Sequence, residues 1–143
     1  MKLDRYNEYE NIYGCDAFVK EKEKLYSKNR KNGEAYDRWL DRQLTFLDTT
    51  GLDVLIHHKQ AFEDLTSSNG LYSITRREFA GNPRILFFTI VEEGEQDAFV
   101  LLTAFSELSD GSYRRAIEVA QKRRKEILEL IKEDDADELA EET

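Results

Sequence analysis

The order of elements in the second half of the chain constrains the fold most. Three runs rich in β-forming residues, at about 71–79, 84–91 and 97–108, follow one another with short turns between them. Consecutive strands with short turns favour an antiparallel meander over a parallel sheet. A long amphipathic helix follows, with Ser112 as its predicted N-cap and an apolar face long enough to lie across the sheet.

The first half of the chain predicts two helices. One begins at Asp16, as N-cap, and runs to about residue 31. The second covers about 34–48, where apolar side chains recur at the spacing of a buried stripe. The Asn32-Gly33 turn between them predicts a helical hairpin. Helices segregated from an antiparallel sheet make an α+β fold.

One domain is predicted, because 143 residues are enough for a single core. We place the domain at 16–132, between an irregular N-terminal arm at 1–15 and a flexible acidic tail at 133–143. Inside the domain, 52–56 reads as a short strand or a loop, and 60–65 as a single helical turn.

Charge is distributed unevenly along the chain. The formal net charge is −9, but seven of the 30 acidic residues lie between Glu133 and Glu142, and none of the 21 basic residues does. The rest is nearly neutral, so local patches decide whether a phosphate can bind. The tail either stays solvated or folds back onto the basic helix before it and imitates nucleic acid.

Several classes of site and location are disfavoured by the sequence. No metal-ligand spacing and no glycine-rich phosphate loop occurs, and the neighbouring His57 and His58 would point to opposite faces of a strand. Cys15 is the only cysteine, so no internal disulfide is possible. No apolar run is long enough to cross a bilayer and no secretory signal is visible, so we expect a cytoplasmic protein with no membrane partner.

Arginines collect at the ends of the predicted strands. Arg76 and Arg77 lie on one strand and Arg84 opens the next, so two guanidinium groups can share one sheet face. Such a pair can fork onto a phosphodiester and stabilise a pentacoordinate transition state. The RNA's own 2′-hydroxyl would attack, so no cofactor is needed. Arg76, Arg77 and Arg84 are therefore predicted catalytic residues, the alternative being solvated arginines or pairs with local acids.

Other aromatic and basic residues are candidates for RNA binding. The predicted set is Tyr72, Tyr113, Arg114, Arg123 and Arg124. Tyrosines can stack on a base, and arginines of a helix can contact phosphates. The alternatives are core packing for the tyrosines and an ordinary solvated helix face for the arginines.

The order and spacing of four segments resemble those of a known protein family. The segments are LYSITRREF, NPRILFF, VLLTAF and YRRAIEVAQKRRKEI. Together they resemble the RelE/HigB-like toxins, including phage-derived ones, of bacterial toxin–antitoxin pairs. The resemblance implies a RelE-like fold, a small antiparallel sheet packed by N-terminal helices. It also implies a metal-independent endoribonuclease that cleaves mRNA, commonly on the ribosome, and is silenced by an antitoxin from the same operon.

The resemblance bears on individual positions. Arg84 matches the arginine of the family's second strand, and Arg76 lies near the arginine of its first strand, although Thr75 holds the strictly aligned place. Ser106, Glu107 and Leu108 stand where the family usually shows a basic pair. This departure brings negative charge beside the predicted RNA site.

Three functions remain open at this point. The first is the toxin of a type II toxin–antitoxin pair, an mRNA-cleaving endoribonuclease. The second is a non-catalytic RelE-like protein that binds a protein partner, such as a helix-turn-helix antitoxin. The third is an α+β interaction domain unrelated to toxins.

Overall fold

A computed structural model describes residues 1–27, 30–65, 70–75, 82–107 and 109–142. The elements in chain order are β1 Leu3–Arg5, β2 Ile12–Cys15, α1 Asp16–Ser27, α2 Arg30–Thr50, a 3-10 turn Gly51–Asp53, α3 Val54–His57, β3 Phe62–Leu65, β4 Leu71–Thr75, β5 Pro83–Ile90, β6 Ala98–Ser106 and α4 Asp110–Glu142. The predicted α+β class is confirmed.

The strands form one six-stranded sheet in the order β1-β2-β6-β5-β4-β3. The meander of β4, β5 and β6 is antiparallel as predicted, and β3 adds a further antiparallel strand. The expectation of a purely antiparallel sheet is wrong, because β2 pairs parallel with β6. Parallel neighbours need a long connection, and here most of the chain lies between the two strands.

The N-terminal residues belong to the sheet. We expected an irregular arm at 1–15, whereas β1 and β2 form an antiparallel pair within these residues. Ile12 and Cys15 are fully buried, and Ile12 is the register partner of Phe99. Strands of three and four residues are too short to show the alternation by which a strand is recognised in a sequence.

The boundaries of several predicted elements change. α2 begins at Arg30, so Asn32 and Gly33 lie in a helix and the predicted turn at these two residues is wrong. A mid-helix glycine costs only about 1 kcal/mol, and packing of the long amphipathic helix outweighs that. The predicted helical turn at 60–65 is mostly β3, and 52–56 lies in the 3-10 turn and α3 rather than in a strand or loop.

α4 is the C-terminal helix, and it packs on β5 and β6 as predicted. Its N-cap is Ser109 rather than Ser112, whose backbone N–H donates to Oγ of Ser109 at 3.3 Å. The Ser109 N–H donates in return to Oγ of Ser112 at 3.0 Å, as in a capping box. α4 continues through the acidic residues to Glu142, so the expected irregular tail is helical and has no turn by which to fold back.

The core is apolar and continuous across the elements. The predicted stripe of α2 is buried at Leu40, Leu44 and Leu47, each worth about 1.5–3 kcal/mol of burial free energy. On α4 the buried side chains include Ala116 and Ala120, whose small size lets the helix approach the sheet closely. In the part of the chain that the structure describes, no helix is both long and apolar enough to cross a membrane.

An ion pair joins α4 to α1 and the sheet. Nη1 of Arg123 donates to Oε1 of Glu21 at 2.6 Å and to the carbonyl of Leu102 at 2.8 Å, and Nη2 lies 3.3 Å from Oε2 of Glu21. Oγ1 of Thr103 donates to the same carboxylate at 2.9 Å. The contact between α4, α1 and β6 therefore depends on one partly buried guanidinium.

Replacing Arg123 with Met is expected to lower the free energy of unfolding by about 1–3 kcal/mol, because Glu21 and the Leu102 carbonyl lose their donor. Met has a helix propensity close to that of Arg, so the helix itself is little affected. Urea denaturation measures the change. The control Arg115→Met, at an exposed position of α4, should stay within about 0.5 kcal/mol. Equal stability of the two variants would contradict a structural role for Arg123.

Tyr36 is expected to make the fold sensitive to alkali. Burial raises the pKa of its hydroxyl above the ordinary 10.0, so the folded chain keeps a proton that the unfolded chain releases. Stability from this group is therefore present below pH 10 and is lost as the pH rises above it. Tyr36→Phe should flatten the fall in the free energy of unfolding between pH 10 and 11, measured by urea denaturation at each pH. An unchanged slope would count against the assignment.

Candidate functional site

A polar cluster lies on one face of the meander where β4 ends and β5 begins. Thr75 is the register partner of Arg84, and Ser73 is the partner of both Glu63 and Leu86. Because side chains alternate along a strand, Glu63, Thr75 and Arg84 share one face of the sheet. The first turn of α4 brings Tyr113 to the same place. We call Arg84, Glu63, Glu107 and Tyr113 the arginine centre.

Arg84 is buried, with 7 % of its surface exposed, and is held by two carboxylates. Its Nη1 lies 3.7 Å from Oε2 of Glu63, and its Nε faces Oε2 of Glu107 in an ion pair that is not aligned as a hydrogen bond. Its Cζ lies 5.2 Å from the ring centre of Tyr113. A buried cation needs such compensation, so these contacts neutralise a charge that would otherwise destabilise the fold.

Tyr113 closes the arginine centre from the helix side. Its ring meets that of Phe105 edge to face at 5.8 Å. Burial raises the pKa of its hydroxyl, and the nearby Arg84 guanidinium offsets part of the rise. The hydroxyl therefore keeps its proton at neutral pH and presents a neutral polar group to the cluster.

A cavity of about 960 Å³ adjoins the arginine centre. It lies between α2, the segment after α3, the start of β3 and the end of β4, and we call it the β3 cavity. Glu63 and Thr75 belong to its wall, so it opens beside the partners of Arg84. Its charged and amide side chains are Arg42, Gln43, His58, Lys59, Gln60 and Glu63.

The β3 cavity has a positive character. Arg42 and Lys59 are exposed, and the described residues give neither of them an ion pair. The carboxylate of Glu63 already faces Arg84. Oγ1 of Thr75 is buried and has no hydrogen-bond partner in the described ranges. The cavity thus offers the cations Arg42 and Lys59 to an anionic ligand.

The predicted site residues are only partly brought together. Arg84 and Tyr113 meet, whereas Tyr72 stacks on Phe87 at 5.5 Å on the opposite face of β4. Arg76 and Arg77 lie outside the described residues, so their predicted role stays a prediction.

The predicted RNA-binding arginines of α4 have different surroundings. Arg123 is held by Glu21, as described above. Nη1 of Arg124 lies near Gly70, at 3.6 Å from the position that a Cβ atom would take there. Arg114 is exposed. Of these, only Arg114 is both exposed and outside a structural contact in the described chain.

The acidic residues and the cavity residues are not recognisable from the sequence alone. Glu63 and Glu107 are 21 and 23 positions from Arg84, and no local pattern links residues so far apart. Glu107 was visible only as a negative residue where the family resemblance implies a basic one. The sequence predicts His57 and His58 as neighbours on a strand, whereas His57 ends α3 and His58 lines the β3 cavity.

Comparisons with known proteins found no match among family models, curated proteins or solved structures. The relation to RelE/HigB-like toxins therefore stays a proposal. Among the described residues, no three His, Cys, Asp or Glu side chains lie close enough together to hold a metal ion.

The two partners of Arg84 are expected to differ in their effect on stability. Glu107→Gln should lower the free energy of unfolding by about 1–3 kcal/mol, because the Glu107 side chain is only 26 % exposed. Glu63→Gln should cost less than about 1 kcal/mol, since that side chain is 54 % exposed and solvent screens it.

The double variant Glu63→Gln/Glu107→Gln tests whether both carboxylates compensate the charge of Arg84. Removing both leaves Arg84 buried without a counter-charge, which should cost about 3–5 kcal/mol and exceed the sum of the single changes. Urea denaturation of the four proteins measures this. A double variant whose loss equals the sum would show that the two carboxylates act independently of each other.

Proposed function

We propose that the chain is a metal-independent endoribonuclease of the RelE/HigB-like group, the toxin of a type II toxin–antitoxin pair. One observation carries the proposal. A half-exposed carboxylate, Glu63, is held by the buried Arg84 at the wall of a cavity that also presents Arg42, His58 and Lys59. The order of two consecutive helices, meander and closing helix is compatible with a helical hairpin in a RelE-like fold.

Glu63 is the proposed general base. It takes the proton from the 2′-hydroxyl of RNA, whose oxygen attacks the adjacent phosphorus through a pentacoordinate transition state. The bond to the 5′-oxygen of the next nucleotide then breaks, and His58 donates the proton that this oxygen needs. The products are a 2′,3′-cyclic phosphate and a 5′-hydroxyl, so atoms and charges balance without another reactant.

The arginine and lysine residues take separate roles in this scheme. Arg42 and Lys59 face the cavity and neutralise the phosphate as its charge grows. Arg84 is a positioning residue, because burial keeps its guanidinium from the substrate while its contact to Glu63 orients the base. Arg76 and Arg77 keep their predicted phosphate-binding role within the proposal.

The proposed partners follow from the toxin assignment. The substrate is mRNA, either free or on the ribosome, and the regulator is a cognate antitoxin from the neighbouring gene. The proposed location is the bacterial cytoplasm, where both are found.

A second function has an observation of its own in its favour. Glu63 and Glu107 neutralise Arg84, so the arginine for which the resemblance implies catalysis offers no free charge to a phosphate. A non-catalytic RelE-like protein that binds a protein partner would tolerate this arrangement. RNA cleavage by the purified chain decides between the two functions.

The chain is expected to cleave single-stranded RNA in the presence of EDTA and to leave 2′,3′-cyclic ends. Glu63→Gln should lower the rate by about 10²–10⁴-fold, because the base is lost while the shape of the side chain is kept. The rate is measured on a fluorescent oligoribonucleotide and the ends by mass spectrometry.

Asp64→Asn is the matched control. Asp64 is the next residue of β3, is exposed and points to the opposite face, so the same loss of charge should leave the rate unchanged. Equal rates for Glu63→Gln and the wild type would remove Glu63 from the chemistry. No cleavage by folded wild-type chain, with or without ribosomes, together with normal growth on expression, would favour the partner-binding function.

A further inference from the structure

We infer that the β3 cavity is a subsite for one nucleotide of the RNA, with its phosphate on Arg42 and Lys59 and its base against the ring of His58. The inference rests on the proposed function, because it takes RNA as the ligand. It goes further in assigning a base-reading pocket, and hence a sequence preference, to residues outside the arginine centre.

The size and lining of the cavity suit a nucleotide. A volume of about 960 Å³ lies within the range of roughly 300–1,000 Å³ that small-molecule sites occupy. Trp39, Ala61 and Phe62 supply apolar wall, and the polar side chains stand among them. A lining that combines an apolar wall with cations can hold a nucleotide base and its phosphate together.

The phosphate position follows from two cations on separate elements. Arg42 lies on α2 and Lys59 lies two residues beyond the end of α3, and both line the cavity. Lys59 supplies a compact charge, and the guanidinium of Arg42 can donate two parallel hydrogen bonds to two phosphate oxygens. Both are exposed, so a ligand reaches them without unfolding any part of the chain.

The base position follows from an existing ring stack. The ring centres of His58 and Phe46 lie 4.1 Å apart, with an angle of 12° between the ring planes. A base on the other face of His58 would extend this stack by one ring, the manner in which proteins commonly hold unpaired RNA bases. Phe46 fixes the orientation of the imidazole and so prepares the platform.

Two amide side chains are placed to read the base. Gln43 lines the cavity and is 7 % exposed, so packing fixes its donor and acceptor. Gln60 also lines the cavity and is exposed. Amides discriminate bases through paired donor and acceptor contacts to the base edge. Because Glu63 shares the same wall, the base that is read belongs to a nucleotide beside the cleaved bond.

Trp39 provides a direct reporter, because it is the only tryptophan of the chain and lines the cavity. Titration of the full chain with each 3′-nucleoside monophosphate at low salt should give a saturable change in tryptophan fluorescence. The four nucleotides should differ at least threefold in Kd, and inorganic phosphate alone should bind at least tenfold more weakly than the best of them.

Charge-matched double variants separate the subsite from general electrostatics. Arg42→Gln/Lys59→Gln should weaken nucleotide binding at least tenfold. Lys20→Gln/Arg38→Gln removes the same charge from exposed positions outside the cavity and should leave Kd within twofold. Gln43→Leu should reduce the spread of Kd among the four nucleotides, and the thermal unfolding temperature of each variant confirms that it is folded.

The outcomes distinguish this inference from the proposed function. Glu63→Gln should retain saturable nucleotide binding while losing cleavage. If the chain cleaves RNA but shows no saturable nucleotide binding, or binds equally well without Arg42 and Lys59, the subsite is refuted and the nuclease stands. If it binds nucleotides through those residues but cleaves no RNA, the subsite stands and the nuclease is refuted. Equal binding of inorganic phosphate and nucleotides would refute base recognition.

Discussion

A buried positive charge at Arg84 sets the conditions for the surrounding site. The guanidinium is withdrawn from water at the start of β5, and two carboxylates from remote parts of the chain compensate it. Glu63 comes from β3 and Glu107 follows β6, so the charge ties the outer strand of the sheet to the end of the meander. Loss of solvation for such an ion exceeds the energy of any single exposed ion pair, which is why two partners and a ring are gathered around it.

The position of Glu107 gives a physical reason for the departure from the family resemblance. Where that resemblance implies a basic pair, this chain carries a carboxylate that contacts Arg84. A cation at this position would repel the buried guanidinium and would be tolerated only if Arg84 were more exposed. Under the proposed function, phosphate binding is therefore assigned to a different set of cations rather than to Arg84. The exposed Arg42 and Lys59 of the β3 cavity can take that place.

The sequence predicted the parts of the fold that have long periodic signals. The β5 and β6 strands follow from long runs rich in β-forming residues, and the apolar stripe of α2 follows from helical spacing. β1, β2 and β3 have three or four residues each, and their strand structure comes from pairing partners far along the chain. The sequence does not distinguish the short helix before β3 from a strand. It therefore predicts a strand position for His58, which instead lines the β3 cavity.

The site was harder to predict than the fold for a related reason. Arg84 and Tyr113 were selected from residue type and position, and the structure brings them together. Glu63, Glu107 and the cavity residues needed the sheet order and the register, because they come from four separate parts of the chain. Arg123 is predicted as an RNA-binding residue because it is a basic residue of a helix. The structure instead pairs it with Glu21, about a hundred positions away in the sequence.

The acidic end of the chain need not oppose binding of RNA. α4 runs without interruption from Asp110 to Glu142, so the acidic residues from Glu133 onward lie along the helix beyond the basic cluster around Arg124. At about 1.5 Å per residue, Asp134 stands roughly 15 Å along the axis from Arg124. That separation exceeds the Debye length of about 10 Å at 0.1 M salt, and exposed charges so far apart are largely screened. The net charge of −9 is thus a poor guide to the local potential, and the cations that line a cavity determine whether an anion binds there.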